Sequence, residues 1–250
     1  MMQDSRGERN LLIKKKSSRV AVIDYGLGNL FSVSRACEKA SLTPIITSCA
    51  KEILKSDAVI LPGVGGFPDA MSNLNNLDLI QPLKDYAQSN RPMLGICLGM
   101  QLLMSESYEF VHTKGLNIIN GDVIKLGSLP TESQPMKVPQ VGWNKIIIPK
   151  IYEVNQSEET SNLWDNTLLK DISHGSHMYF VHSFYVRPTD PSIILSDTDY
   201  GDMTFCSSYS QNNIMGCQFH PEKSGTAGLL IYHNLSKMMS LKTDVVTEDR

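Results

Sequence analysis

Short apolar runs alternate with amphipathic stretches through the first half of the chain. Residues 20–23 form a strand-type run that stops at Asp24-Tyr25-Gly26-Leu27-Gly28. From 30 to 40 the period changes, and Leu30, Val33, Ala36, Cys37 and Ala40 fall on one helical face. Residues 43–47 and 58–61 predict two more strands, the second stopped by Leu61-Pro62-Gly63, and 79–88 predicts another helix. Residues 93–96 read as a buried strand, with a helix beginning near Leu98. Continuous apolar strands alternating with helices indicate a parallel sheet covered on both faces.

The second half has a different rhythm. Strand-like runs at 145–148, 179–186, 193–195, 205–209 and 214–219 have few helical segments between them. They predict antiparallel additions, closed by a helix over about 227–239. The polar stretch 152–162, with Glu153, Glu158 and Glu159, reads as an exposed insertion. No Gly/Ser/Pro-rich linker separates the halves. The expectation is one α/β domain over 19–240, with an open, mostly parallel central sheet flanked by helices. Residues 1–18 and the polar 241–250 read as tails.

Composition narrows the function classes. Charged residues are 20% of the chain, and 23 Lys plus Arg stand against 26 Asp plus Glu, so the basic surplus of a nucleic-acid binder is missing. No apolar run approaches membrane-spanning length, and the basic run Lys14-Lys15-Lys16 lacks the apolar stretch of a signal peptide. Neither nucleic acid nor membrane is expected as a partner, and a cytoplasmic location is. The cysteines, Cys37, Cys49, Cys97, Cys206 and Cys217, form no CxxC pair. That spacing speaks for a reducing compartment in which most are small buried hydrophobes.

One cysteine stands apart. Gly95-Ile96-Cys97-Leu98-Gly99 joins a strand to a helix, as a nucleophile elbow does. The flanking glycines permit a tight turn, and a helix start at Leu98 favours a thiolate through its dipole. A buried, inert cysteine fits the same five residues. His220-Pro221-Glu222 adds a base and a carboxylate. Pro221 holds the chain extended, so His220 and Glu222 share one face, and the carboxylate can fix the imidazole tautomer. Pro62-Gly63-Val64-Gly65-Gly66 is a glycine-rich loop with no Walker lysine. It is either a plain turn or backbone able to aim N–H groups at an oxyanion, with the N–H of Leu98 as second donor. His177 and His182 lack the pairing of a metal site, and none is expected.

In this order the three elements resemble the class I (triad) glutamine amidotransferases, a flavodoxin-like α/β family, over about 19–239. Further segments are similar to the glutaminase subunits of imidazole glycerol phosphate synthases: 23–30 (IDYGLGNL), 61–66, 95–101, 138–144 (VPQVGWN), 179–183 (YFVHS) and 218–225 (QFHPEKSG). GxCxGxQ and HPE are common to the whole family; DYGxGN, GWN and YFVHS are far more specific. The resemblance implies a cofactor-free glutaminase. Cys97 would attack L-glutamine, His220 would move the proton, and Glu222 would orient His220. Val64 and Leu98 would form the oxyanion hole, and Gly65, Gln101 and Ser183 would hold the substrate. In that family the Val64 peptide often has to reorient, which implies low resting activity. Ammonia would pass to a (βα)8-barrel synthase in a heterodimer, with Tyr25, Asn29, Trp143, Tyr179 and Lys223 facing the barrel or its tunnel.

Trp143 and Tyr179 also fit plain core positions, and Lys223 a solvated charge. The chain departs from the family with Gln140 where His is common and Phe184 where Tyr is common. The first departure lies near the expected partner contact. A paralogous glutaminase supplying ammonia for amidine formation on a surface-polysaccharide sugar therefore stays open. So do a non-catalytic partner-binding scaffold and a general cysteine hydrolase.

Overall fold

The computed structural model describes residues 18–127, 137–153 and 163–244. Residues 1–17, 128–136, 154–162 (all but the first two residues of the stretch read as an insertion) and 245–250 lie outside them.

The first half alternates as its pattern requires: β1 (Arg19–Ile23), α1 (Leu30–Lys39), β2 (Thr43–Thr47), α2 (Ala50–Lys55), β3 (Ala58–Gly63), α3 (Phe67–Asn76), α4 (Ile80–Ala87), β4 (Met93–Cys97) and α5 (Leu98–Leu102). Three short strands follow, β5 (Glu106–Ser107), β6 (Thr113–Lys114) and β7 (Gly121–Lys125). The remainder comprises β8 (Gln140–Lys145), α6 (Lys150–Glu153), β9 (His177–His182), β10 (Phe184–Pro188), β11 (Ile194–Tyr200), β12 (Met203–Gln211), β13 (Ile214–Cys217) and α7 (Gly225–Asp244).

The main sheet has seven strands in the order β11-β12-β13-β4-β3-β1-β2. From β13 to β2 every pairing is parallel, whereas β11 and β12 are antiparallel additions. Alternate residues of β1 enter different cores: Val20 and Val22 pack with Val33 of α1 and Leu235 of α7, Ala21 and Ile23 with Ile53, Phe67 and Leu83. This is the signature of a strand buried on both faces. β10, β7, β5 and β6 form a second sheet, and β8 pairs with β9 alone. Among the described residues no helix is long and apolar enough to cross a membrane.

Several boundaries differ from the sequence reading. β3 runs on through Pro62 to Gly63. Beyond Ile60 it has no pairing with β1, and Tyr25 Oη donates to the Pro62 carbonyl at 2.7 Å, so the missing N–H of Pro62 breaks no ladder. The predicted strand at 145–148 lies earlier, at Gln140–Lys145, because Trp143 and Val141 alternate outward in register with β9. Ile147 keeps only an isolated bridge to Asp197. The run 179–186 is two strands broken at Ser183, because the chain leaves β8 there and joins β7. Helices α2 and α3 appear where no helical pattern is read. The closing helix runs to Asp244, into the stretch read as a tail.

Candidate active site

Cys97 is the last residue of β4 and adopts φ 54°, ψ −111°, a conformation costly for a residue with a side chain. Its neighbours explain how the turn is held. A Cβ on Gly95 would lie 2.7 Å from the backbone of Gly99 and Met100, and one on Gly99 only 1.7 Å from the Leu61 carbonyl oxygen. Both glycines are required by close approach of backbone. The helix that follows is only Leu98–Leu102, too short for the dipole expected at its start to amount to much. The sulfur is held by specific neighbours instead: Sγ lies 3.8 Å from the Val181 carbonyl and accepts from Gln218 Nε2 at 3.6 Å.

His220 is placed by strand β9, its N–H donating to the Tyr179 carbonyl at 2.9 Å. Ser224 locks the join, since its hydroxyl donates to the His220 carbonyl at 2.6 Å and accepts from the Tyr179 N–H at 3.0 Å. His220 itself is extended, but Pro221–Lys223 is a 3-10 turn, which corrects the extended tripeptide expected from Pro221. Proline suits the first position of a helical turn as well as an extended chain. The turn folds Glu222 back, so that Nδ1 of His220 meets Oε1 at 2.8 Å with both side chains buried. His220 Nε2 is buried and lacks a fully formed hydrogen bond, although it lies close enough to Cys97 for the sulfur to act on it. Burial works against the imidazolium, but the charges of Cys97 and Glu222 outweigh it and raise the ring above the usual histidine range.

Cys97 opens into a cavity of about 240 Å³. Val64, Gly65, Leu98, Gln101 and Ser183 all line it, so the structure gathers the predicted oxyanion and substrate residues in one place. Gln101 Nε2 donates to the Phe184 carbonyl at 2.9 Å and to Gln218 Oε1 at 3.1 Å. Glu109 was not foreseen. Its carboxylate lines the same cavity and accepts from the Phe67 N–H at 2.7 Å, while burial raises its pKa. It belongs to an irregular segment after β5, where no periodicity or motif marks it.

His182 also lines this cavity. Its Nδ1 meets the Phe184 carbonyl at 2.9 Å and its Nε2 meets the Gln140 side chain at 3.0 Å. Burial lowers its pKa to about 4, which makes it a neutral ring. The bond to a carbonyl puts its proton on Nδ1; Nε2 is then an acceptor, so the Gln140 amide, placed with Oε1 facing it, has to be reversed to present its N–H. Among the described residues no cluster suited to a metal ion is present.

The five residues expected at a partner surface divide. Trp143 is 56% exposed and packs edge-on against Tyr179 at 6.0 Å, over whose ring Lys223 Nζ lies at 5.7 Å. These three form one surface cluster behind His220. Asn29 caps α1, accepting from the Ser32 N–H at 3.2 Å. Tyr25 is 1% exposed and sits under the Pro62 loop, where its hydroxyl donates to the Pro62 carbonyl inside the fold. Gln140 likewise faces inward, paired with His182. A separate, more open hollow of about 400 Å³ lies between α1 and the start of α7, with Arg35 and Lys39 on one wall and Glu222 on the other. No cysteine or histidine lines it.

Residues 21–235 match the family model "Glutamine amidotransferase class-I". The chain is 42% identical over 214 residues to imidazole glycerol phosphate synthase subunit HisH 1 of Legionella pneumophila (strain Paris), covering 86% of this chain and 96% of that one. It is 40% identical over 220 residues to the HisH subunit of Syntrophotalea carbinolica, covering 88% and 100%. Among solved structures, PurLQS from Thermotoga maritima shares the fold with a TM-score of 0.60 at 14% identity, covering 88% of this chain and 98% of that chain. The turn at Cys97, the sheet beneath it and these matches agree: the chain belongs to the class-I glutamine amidotransferase family.

Proposed function

We propose that this chain hydrolyses L-glutamine and passes the ammonia to a synthase subunit. The observation that carries the reading is the His220–Glu222 contact of 2.8 Å, which leaves Nε2 free beside Cys97. Proton transfer from thiol to Nε2 gives a thiolate and an imidazolium, and Glu222 supports the latter. The thiolate attacks the Cδ carbonyl of glutamine, and the N–H groups of Val64 and Leu98 receive the oxyanion. The C–N bond breaks as Nε2–H protonates the leaving nitrogen, releasing ammonia and leaving a γ-glutamyl thioester. Water, deprotonated by His220, then attacks the thioester. Glutamate leaves and the thiol is restored.

Substrate choice follows from the cavity. The Glu109 carboxylate, the charged group facing it, suits the α-ammonium of glutamine, and Gly65 and Ser183 suit its remaining polar atoms. The ammonia acceptor we assign is a (βα)8-barrel subunit that makes imidazole glycerol phosphate and the aminoimidazole carboxamide ribotide (AICAR) of histidine biosynthesis, in a cytoplasmic heterodimer. The names of the relatives and the exposed Trp143–Tyr179–Lys223 cluster support this. Gln140, the departure nearest the expected contact, pairs inside the fold, so it gives no reason to favour another acceptor.

The test is glutamate release by the full chain, alone and with a candidate barrel subunit and its ribulosyl ligand. Activity should be low alone and rise at least tenfold in the complex. Glutamate release that Cys97→Ala leaves unchanged would overturn the chemistry. Active glutaminase that neither co-purifies with the barrel nor supports growth without histidine would overturn the acceptor.

A further inference from the structure

Gln218 lies just beyond the end of β13 and is fully buried, two residues before His220. An amide costs free energy in such a place unless both its ends are bonded. Both are. Nε2 donates to Cys97 Sγ at 3.6 Å, and Oε1 accepts from Gln101 Nε2 at 3.1 Å.

The direction of these bonds is fixed by the protein itself. The Phe184 carbonyl can only accept, so the Gln101 atom 2.9 Å from it must be the amide nitrogen. The same nitrogen faces Gln218, which must therefore present its oxygen there. Reversing the Gln218 amide would set two NH2 groups against each other. The remaining end, with its N–H, is turned to the sulfur. A chain of donors thus runs from a backbone carbonyl to the nucleophile and cannot be inverted at either glutamine.

Given the glutaminase reading above, we propose that Gln218 is a catalytic hydrogen-bond donor to the Cys97 sulfur, coupled through Gln101 to the glutamine pocket. A thiol can give its proton to the Val181 carbonyl, 3.8 Å away, or to His220. Once the proton has gone, the sulfur needs donors, and Gln218 supplies one that requires no movement. The bond is therefore stronger to the thiolate than to the thiol. The same arrangement settles what Gln101 offers a substrate. Both of its N–H bonds are committed, so its free group is the acceptor Oε1, which suits a donor of the bound glutamine.

The test uses the full chain with the barrel subunit present, in a Cys49→Ser background that removes the exposed thiol. Alkylation of Cys97 by iodoacetamide is followed against pH, with the labelled peptide identified by mass spectrometry. Gln218→Met keeps the length and volume of the side chain without the donor. Its alkylation midpoint should move up by about one pH unit, as expected for loss of a hydrogen bond to a charged group. Gln101→Met removes the restraint on Gln218 and should move the midpoint the same way by less. It carries the test if Gln218→Met fails to fold. In glutamine hydrolysis, Gln218→Met should lower kcat more than it raises KM. Superimposable alkylation profiles for parent and folded variant would overturn the proposal. Absence of glutamate release by the parent complex, with the alkylation shift intact, would instead sink the glutaminase reading and leave the hydrogen bond standing.

Discussion

Gly99 and Leu61 are in such close contact that no side chain fits between them. The Leu61 carbonyl oxygen occupies the place where a Cβ on Gly99 would be. The nucleophile turn is thus braced against β3, the strand that leads into the glycine loop. Gly99→Ala should cost roughly 3 kcal/mol or more in urea unfolding, since neither backbone can retreat without disturbing the sheet. Gly66→Ala, whose Cβ would meet nothing nearer than 3.4 Å, should cost less than about 1 kcal/mol. Equal losses would count against the bracing.

The 2.8 Å contact between His220 and Glu222 predicts a kinetic signature. Glu222→Gln keeps the side-chain volume but removes the charge that supports the imidazolium. With the partner bound, kcat for glutamine should fall by about a hundredfold or more, with little change in KM. A fall confined to KM would mean that Glu222 shapes the pocket rather than the base.

Glu109 makes a prediction of the opposite kind. Glu109→Gln leaves an acceptor for the Phe67 N–H but removes the negative charge from the glutamine cavity. KM should rise by about ten- to a hundredfold, as for loss of a charge-assisted bond, while kcat stays within a few fold. An unchanged KM in steady-state kinetics would remove Glu109 from substrate binding.

His182 links stability to pH. Its folded pKa, about 4, lies below its ordinary value of 6.5 because burial disfavours the charged ring. Above pH 6.5 the ring is neutral folded or unfolded, and the stability that this histidine permits is fully present. As pH falls towards about 4 the unfolded chain takes up a proton that the folded chain refuses, and stability is lost. The slope from this one group approaches 1.4 kcal/mol per pH unit. His182→Asn should flatten the urea-unfolding profile in that window, whatever it costs in absolute stability. Parallel profiles would show that another group carries the titration.

At the surface, Trp143 is the natural anchor for a partner, being large, exposed and braced edge-on by Tyr179. Trp143→Ala should weaken binding of the barrel subunit by about thirtyfold by calorimetry, with the fold unchanged. Lys223→Ala should cost less, since its charge is screened at a surface.

The parts of this site that could be read from sequence are those whose chemistry demands particular residues at particular spacings. Gly95 and Gly99 announce a backbone contact that no other residue allows, and Cys97 between them follows. The inner strands β3 and β4 of the parallel sheet are legible because burial on both faces leaves them no polar positions. Helix α3 is not, since Asn73, Asn75 and Asn76 mimic a loop. Its proline in the first turn and Asp69 were the available signals. Glu109 and the Gln140–His182 pair are set by cross-strand register and an irregular segment, which local periodicity does not encode. The burial of Tyr25 is not legible either, because only the fold shows that a proline carbonyl waits for its hydroxyl.

The bond from Tyr25 to Pro62 and that from Phe67 to Glu109 sit at either end of the glycine loop. Between these two abutments the Val64 and Gly65 peptides are spanned rather than packed, and Val64 remains 41% exposed. Turning the Val64 peptide is then a crankshaft motion, one residue's ψ counter-rotating against the next residue's φ while both ends stand still. Neither core is opened and no strand shifts register. Because Val64 belongs to neither core, the protein's melting temperature should be insensitive to which way the peptide points.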